Sequence, residues 1–374
     1  MRRMTNPLTR MACALLVACG LASCEYIHDN TLAPCEYRLH LVYDYNMKFA
    51  DAFQNEVTRA SLFICDDQGN YLSRRDITGE ELKANDIRMD LAPGSYVLLT
   101  WAGLDDGSYK WPELTPGGST VRDIKVRALR EADSTQADEL EPLWHALDTL
   151  VVSGERHEEK EISLVKNTNK LRIVLQDTEG YSMDAGDFTF QVVADNGYMD
   201  YDNRLLEDPA ISYEPYYQES VDISGGDGDD RINGEAANRY VAVAELNTLR
   251  LMDGENYRLI VRHKDWEKDV LNVNLCNYLL LTQMEGHRIS AQEYLDRQDE
   301  YSIIFFLTPV LCPDCPDPDP DPDPDPTPDP DPDPDPDPTP NPDPDEPPYP
   351  IVGYACYKVQ VKDWVIRLND DAEL

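Results

Sequence analysis

The sequence predicts an all-β protein with two β-sandwich domains. Three observations predict this class: apolar and polar side chains alternate with a period of two in many segments, clusters of Gly, Pro, Asn and Asp separate these segments, and one order of strands occurs twice. The first alternating segment runs from Tyr37 to Tyr45, where every second side chain is Leu or Tyr. Helical patterns are confined to two short segments, residues 48–55 and 291–299.

The order of the predicted strands is the same in both halves of the chain. Each half has an alternating strand, then a hairpin, then a turn with glycine that leads into an apolar strand. The segments are 37–44, 57–71 and 91–99 in the first half, and 170–177, 187–198 and 251–261 in the second. Because three matches follow one order, we predict a duplicated domain, with an N-terminal sandwich over residues 37–160 and a C-terminal sandwich over residues 161–312.

Charge and composition exclude several classes of function. There are 33 Lys and Arg against 72 Asp and Glu among 374 residues, so the formal net charge is -39 and repulsion from phosphate excludes nucleic-acid binding. The sequence has no motif typical of zinc hydrolases, serine hydrolases or nucleotide-binding enzymes. The acidic loop with Asp227, Asp229 and Asp230 departs from EF-hand spacing, which favours a plain polar loop over a calcium site. We therefore predict no catalytic residue, no cofactor and no metal.

The N-terminus has the features of a secretory signal. Residues 1–10 are basic and contain no acid, and the apolar segment 11–22 is too short to span a membrane. This segment ends in Leu-Ala-Ser directly before Cys24, an arrangement that resembles the lipobox of bacterial lipoproteins. We expect residues 1–23 to be the removed signal peptide, Cys24 to carry the lipid and residues 24–36 to form a linker.

The composition changes abruptly near the C-terminus. Residues 313–350, the Pro-Asp tract, have no side chains for a core and predict a disordered, extended tether. Strand character returns over residues 351–374, where two apolar sets alternate in opposite phase: Tyr357, Val359 and Val361, then Trp364, Ile366 and Leu368. The change of phase requires a bulge, a tight turn or a change of sheet. Because an isolated strand needs partners, the segment either completes its own sandwich or adds to another subunit.

Six cysteines lie outside the signal and the lipid site. Cys312 and Cys315 have the spacing of a redox motif, but they open the Pro-Asp tract instead of a helix, which argues against an oxidoreductase. A disulfide from either of them to Cys356 would join the two ends of the tract. Cys312, Cys315 and Cys356 are therefore disulfide candidates, and the sequence leaves their pairing open.

Five segments, taken in order, carry a resemblance to a known family. They are the lipobox at Cys24 and residues 35–46, 91–103, 166–170 and 364–369. In this order they resemble the FimB-like fimbrial anchor family, which is the minor fimbrium anchor subunit lipoprotein family of type V pili. The resemblance implies two transthyretin-like β-sandwiches, lipid attachment to the outer membrane facing the cell surface, and a fimbrial anchor that holds the base of the pilus and limits fibre length.

The resemblance also implies a partner, the fimbrial stalk subunit. Stalk subunits of such pili exchange a C-terminal strand, so we expect contact with the stalk by β-strand addition through Val359, Val361, Trp364, Ile366 and Leu368. The alternative is a surface glycan-binding lipoprotein with no filament role. Its first candidates for stacking on sugars are Tyr213, Tyr216 and Tyr217.

Overall fold

The computed structural model describes residues 36–155, 157–223, 239–283, 288–313, 315 and 347–361, and the backbone of residues 231–232, 235–236 and 364–367. Most of this part of the chain is β-strand, with a few short helices, so the predicted all-β class is confirmed. The predicted signal peptide, Cys24, the acidic residues at 227–230, Leu368 and most of the Pro-Asp tract lie outside the described residues.

The first eleven strands of the described chain form the N-terminal sandwich and the segment that links its strands β5 and β9. The elements are β1 (Glu36–Val42), α1 (Phe53–Glu56), β2 (Arg59–Asp66), β3 (Tyr71–Thr78), α2 (Gly79–Ala84), β4 (Ile87–Met89), β5 (Gly94–Ala102), β6 (Tyr109–Lys110), β7 (Val126–Ala128), β8 (Thr135–Gln136), β9 (Trp144–Val152), β10 (His157–Ser163) and β11 (Val165–Lys166). One sheet has the order β10-β1-β4 and the other β11-β9-β5-β2-β3. The alternation of the first strand is observed, since Tyr37, Leu39 and Leu41 are buried in the core.

The C-terminal sandwich is also built from two sheets. The elements are β12 (Thr168–Asp177), β13 (Phe188–Ala194), β14 (Tyr198–Met199), β15 (Ile211–Tyr213), β16 (Tyr217–Asp222), β17 (Arg231–Ile232), β18 (Glu235–Ala236), β19 (Tyr240–Leu249), β20 (Arg258–His263), β21 (Asp269–Asn274), α3 (Leu275–Leu279), α4 (Ala291–Arg297), β22 (Glu300–Leu311), β23 (Ile351–Val361) and β24 (Trp364–Arg367). The sheet orders are β16-β19-β12-β22-β23-β24 and β21-β20-β13-β15-β8.

Strand pairing repeats between the two sandwiches. The strand β1 pairs in parallel with β10 and antiparallel with β4, and β12 pairs in parallel with β22 and antiparallel with β19. Likewise β2 lies between β3 and β5, and β13 lies between β15 and β20, all antiparallel. The boundary differs from the prediction at residues 160 and 161, because β10 crosses it and stays paired with β1 as far as Ser163.

The two sandwiches are joined by more than one connection. The segment between β5 and β9 supplies β8, which extends the second sandwich beside β15, and β7, which pairs with β14. One hydrophobic cluster contains Phe63 and Trp101 of the first sandwich together with Leu171 of the second. Near this junction, Nζ of Lys166 lies 2.9 Å from Oε2 of Glu56 and 2.5 Å from Oδ2 of Asp299. The two halves therefore share a core and a salt-bridge network.

Candidate functional site

The strand β23 lies in the sheet of its own C-terminal sandwich. Val359 pairs with Phe305 of β22 and Val361 pairs with Ile303. Neither valine has exposed surface, because both fill the core between the sheets. Of the two options that the sequence left open for residues 351–374, β23 therefore follows the one in which the segment completes its own sandwich. The prediction that these two valines contact a stalk subunit needs correction, since their side chains present no surface to a partner while β23 occupies this place.

The strand β24 is one of the two edge strands of the six-stranded sheet within the described part of the chain, and β16 is the other. Trp364 and Ile366 are the register partners of Val361 and Val359. The two apolar sets therefore lie on two antiparallel strands, β23 and β24, and residues opposite each other in the pair come from the two sets. The side chains of β24 lie outside the described residues, as does the whole of Leu368.

A β-bulge at Tyr357 changes the pattern within β23. The register shifts between Phe306 and Leu307, whose partners are Lys358 and Cys356, so Tyr357 is left without an opposite residue. The extra residue inverts the alternation, and Tyr357 is 49% exposed while Cys356 packs against the core. The prediction that Tyr357 shares the phase of Val359 is therefore wrong.

The two ends of the Pro-Asp tract lie next to each other. Leu311 at the end of β22 pairs with Ile351 at the start of β23, and the backbone N–H of Cys312 donates to the carbonyl oxygen of Pro350 at 3.0 Å. The tract therefore joins two neighbouring antiparallel strands. In this structure it does not carry β23 away from the sandwich.

The disulfide joins Cys312 to Cys315 at the start of the tract. Cys356 has a free thiol, so of the pairings that the sequence left open the one between Cys312 and Cys315 is formed. The physical reason is distance along β23, since Cys356 lies five residues beyond Ile351 and a strand advances about 3.3 Å per residue. Burial raises the pKa of the Cys356 thiol to about 11, which keeps it protonated and poorly nucleophilic at neutral pH.

One buried titratable group of the described chain is a histidine on β9. His145 on β9 is 5% exposed, and burial lowers its pKa to about 4, so the ring is neutral near pH 7. Its Nε2 lies 2.8 Å from the carbonyl oxygen of Tyr201. No group of His, Cys, Asp and Glu side chains among the described residues is arranged to hold a metal ion, and no described helix is long and apolar enough to cross a membrane.

The tyrosines proposed for glycan stacking do not form one platform. Tyr213 is fully buried, and its hydroxyl donates to Oδ1 of Asn196 at 2.7 Å. Tyr216 is half-buried beneath Nζ of Lys170, which lies 5.3 Å from the ring centroid. Tyr217 alone of the three is strongly exposed, at 40%. Tyr213 is therefore a core residue, because β15 turns its side chain toward the sandwich interior.

Comparison with known proteins identifies the family. A family model described as fimbrillin-A associated anchor proteins Mfa1 and Mfa2 matches residues 32–370. The chain belongs to this fimbrial anchor family. The expectation drawn from the resemblance is thus confirmed, and the match extends across both sandwiches and β24. Among curated proteins, none matches the chain.

Solved structures agree with the anchor-family fold. Two proteins from Bacteroides thetaiotaomicron, a candidate polysaccharide-binding protein and a candidate adhesin, are 29% and 30% identical, with a TM-score of 0.69 each. The alignments cover 91% and 90% of this chain and 100% of each neighbour. The fimbrial anchor protein Mfa2 from Porphyromonas gingivalis is 15% identical over 90% of this chain and 99% of that one, with a TM-score of 0.59, and so supports the fold alone.

Proposed function

We propose that this protein is a lipid-attached outer-membrane anchor, which holds the base of a fimbria, limits fibre length and contacts the first stalk subunit by strand addition to β24. Membership of the anchor family supports the fimbrial role. The attachment site is Cys24, at the end of a short apolar signal and twelve residues before the first strand, β1. Multiple acyl chains on one cysteine hold a protein firmly, at about 0.8 kcal/mol per buried methylene.

The observation that carries the stalk contact is the outer edge of the C-terminal sandwich. Outer strands leave a row of backbone N–H and C=O groups unpaired, and such a row is a template for another strand. In the described chain β24 has β23 on one side and no strand on the other. Its sequence, Trp-Val-Ile-Arg, has a single charge. With one charged residue among four, the edge has few of the charges that usually prevent pairing between sheets.

Deletion of the gene and complementation tests the anchor role. Cells that carry the wild-type gene or the Cys24→Ala variant would be compared by negative-stain electron microscopy, with filaments counted and measured on cells and in the medium. We expect shed or abnormally long filaments with Cys24→Ala. Filaments of unchanged length and attachment would contradict the anchor role.

A proline scan of β24 tests the contact with the stalk. Successive N–H groups in an antiparallel strand point to opposite sides, so proline at each of the four positions of β24 removes an outward donor at two of them and a donor to β23 at the other two. We expect the two outward substitutions to release filaments while the melting temperature of the purified protein stays near wild type. The two inward substitutions are the matched controls and lower the melting temperature. If the outward pair leaves filaments attached, strand addition at β24 is excluded.

A further inference from the structure

A groove of about 550 Å³ opens at the end of the C-terminal sandwich where the Pro-Asp tract begins. Its lining comes from the turn between β20 and β21, the start of β21, and the adjoining ends of β22 and β23. The side chains that the argument uses are Asp265, Trp266, Glu267, Lys268, Val352 and Tyr354. The volume of the groove lies in the range of small-molecule binding sites.

The floor of the groove is an ordered aromatic group. The indole of Trp266 stacks on His263, with ring centroids 4.0 Å apart and planes 19° apart. Tyr354 of β23 lies 5.3 Å from Trp266 on centroids and is itself supported by Phe188 at 6.2 Å. The aromatic rings thus form contacts between the two sheets.

The rim is polar, and several of its groups have no partner within the described chain. Neither the carboxylates of Asp265 and Glu267 nor the ammonium group of Lys268 makes a hydrogen bond or ion pair there. By contrast, Oδ1 of the neighbouring Asp269 is held by Nε of Arg262 at 2.6 Å. Val352, 46% exposed, adds an apolar wall. The groove therefore offers an aromatic surface flanked by free hydrogen-bond acceptors and one donor.

We infer that this groove binds a neutral polysaccharide chain. One face of a pyranose ring is rich in C–H groups and stacks on aromatic rings, while its hydroxyl groups donate to carboxylates. Three carboxylates in the lining and a net charge of -39 repel anionic chains, and they also disfavour the Asp-rich tract of this protein as the occupant. The site is separate from β24, so it adds a binding activity that does not rest on the anchor role.

Native affinity electrophoresis of the purified, unlipidated Cys24→Ala protein tests this inference. The gels would contain laminarin, yeast mannan or soluble starch as neutral probes, and polygalacturonate as the anionic probe. We expect retardation by at least one neutral probe and none by polygalacturonate. Retardation by polygalacturonate alone, or no retardation in any neutral gel, overturns the proposal.

Variants connect the binding to the groove. Trp266→Ala removes the floor, and Val352→Arg fills the groove from a side chain that is 46% exposed. Either change is expected to weaken binding by about tenfold or more. Tyr240→Ala is the matched control, because it removes an exposed aromatic ring from β19, outside the groove. Circular dichroism checks folding, and a folded Val352→Arg protein with wild-type retardation would also overturn the proposal.

Discussion

The two sandwiches have the same strand pairing but different outer edges. In the N-terminal sandwich, β10 is the outer strand beside β1, and its sequence is His-Glu-Glu-Lys-Glu-Ile-Ser. In the C-terminal sandwich the matching strand is β22, whose sequence includes Ile-Ile-Phe-Phe-Leu, and β23 and β24 cover it. A charged edge can face water without pairing, whereas an apolar edge needs a cover. The comparison teaches that one strand pairing can end in an uncovered charged strand or in an apolar strand that further strands cover, depending on the sequence of that strand.

The largest effect is expected from removal of the cover on β22. A chain that ends at Pro350 loses β23 and β24 and opens the core at Val359 and Val361. Full burial of each valine contributes about 1.5 kcal/mol or more, so the free energy of unfolding falls by more than about 3 kcal/mol before lost backbone hydrogen bonds are counted. Thermal denaturation followed by circular dichroism measures this. A wild-type melting temperature would show that β22 needs no cover.

Acid should weaken the junction through His145. Burial lowers its folded pKa to about 4, below the ordinary value of 6.5, so the unfolded chain binds the proton more tightly. The stabilising contribution is therefore present above pH 6.5 and is lost as the pH falls toward 4, by about 3 kcal/mol. Urea denaturation at several pH values should show a shallower acid loss for His145→Gln than for wild type. Parallel curves for the two proteins would disprove the assignment.

Lys166→Met tests the salt bridges that join the sandwiches. The change leaves Glu56 and Asp299 without their cation in a partly buried site, and we expect the free energy of unfolding to fall by about 2 kcal/mol. Lys170→Met is the control, because this lysine is 43% exposed and its 3.3 Å pair with Glu139 contributes less than about 1 kcal/mol. Equal losses in the two variants would mean that the junction gains nothing from Lys166.

Substitution of charged residues on the edge strand β10 by valine tests whether these charges prevent pairing with another sheet. Glu159→Val with Glu161→Val changes two exposed side chains, so stability should change by less than about 1 kcal/mol. Self-association should nevertheless appear in light scattering, because the edge loses its protection. Glu131→Val with Glu179→Val, on exposed positions outside the strands, is the matched control. A monomeric edge variant would show that these charges do not guard the strand.

The smallest effect is expected from the Pro-Asp tract. Replacement of residues 316–346 by a short Gly-Ser linker should leave the melting temperature unchanged or slightly raised, because the ends of β22 and β23 already pair. A large loss of stability would mean that the tract contributes packing to the sandwich.

Much of the architecture follows from the sequence alone. Alternation at Tyr37 to Tyr45 predicts a half-buried strand because a strand turns successive side chains to opposite faces. The repeated order of segments predicts a duplicated domain, and in the structure β1 and β12 have the same pattern of strand pairing. The resemblance to the anchor family likewise rests on the order of five segments along the chain. These properties depend only on neighbouring residues or on the order of segments along the chain, so they can be read from the sequence.

Tertiary structure alone decided which faces and edges meet. The bulge at Tyr357 arises from register with β22, which no pattern within β23 reveals. The partner of Cys312 depends on where Leu311 and Ile351 meet, and the aromatic groove exists because Trp266 and Tyr354 come from different sheets. The physical reason is that the sequence specifies what each strand can bury, while the choice among partners is made by the packing of residues far apart in the chain.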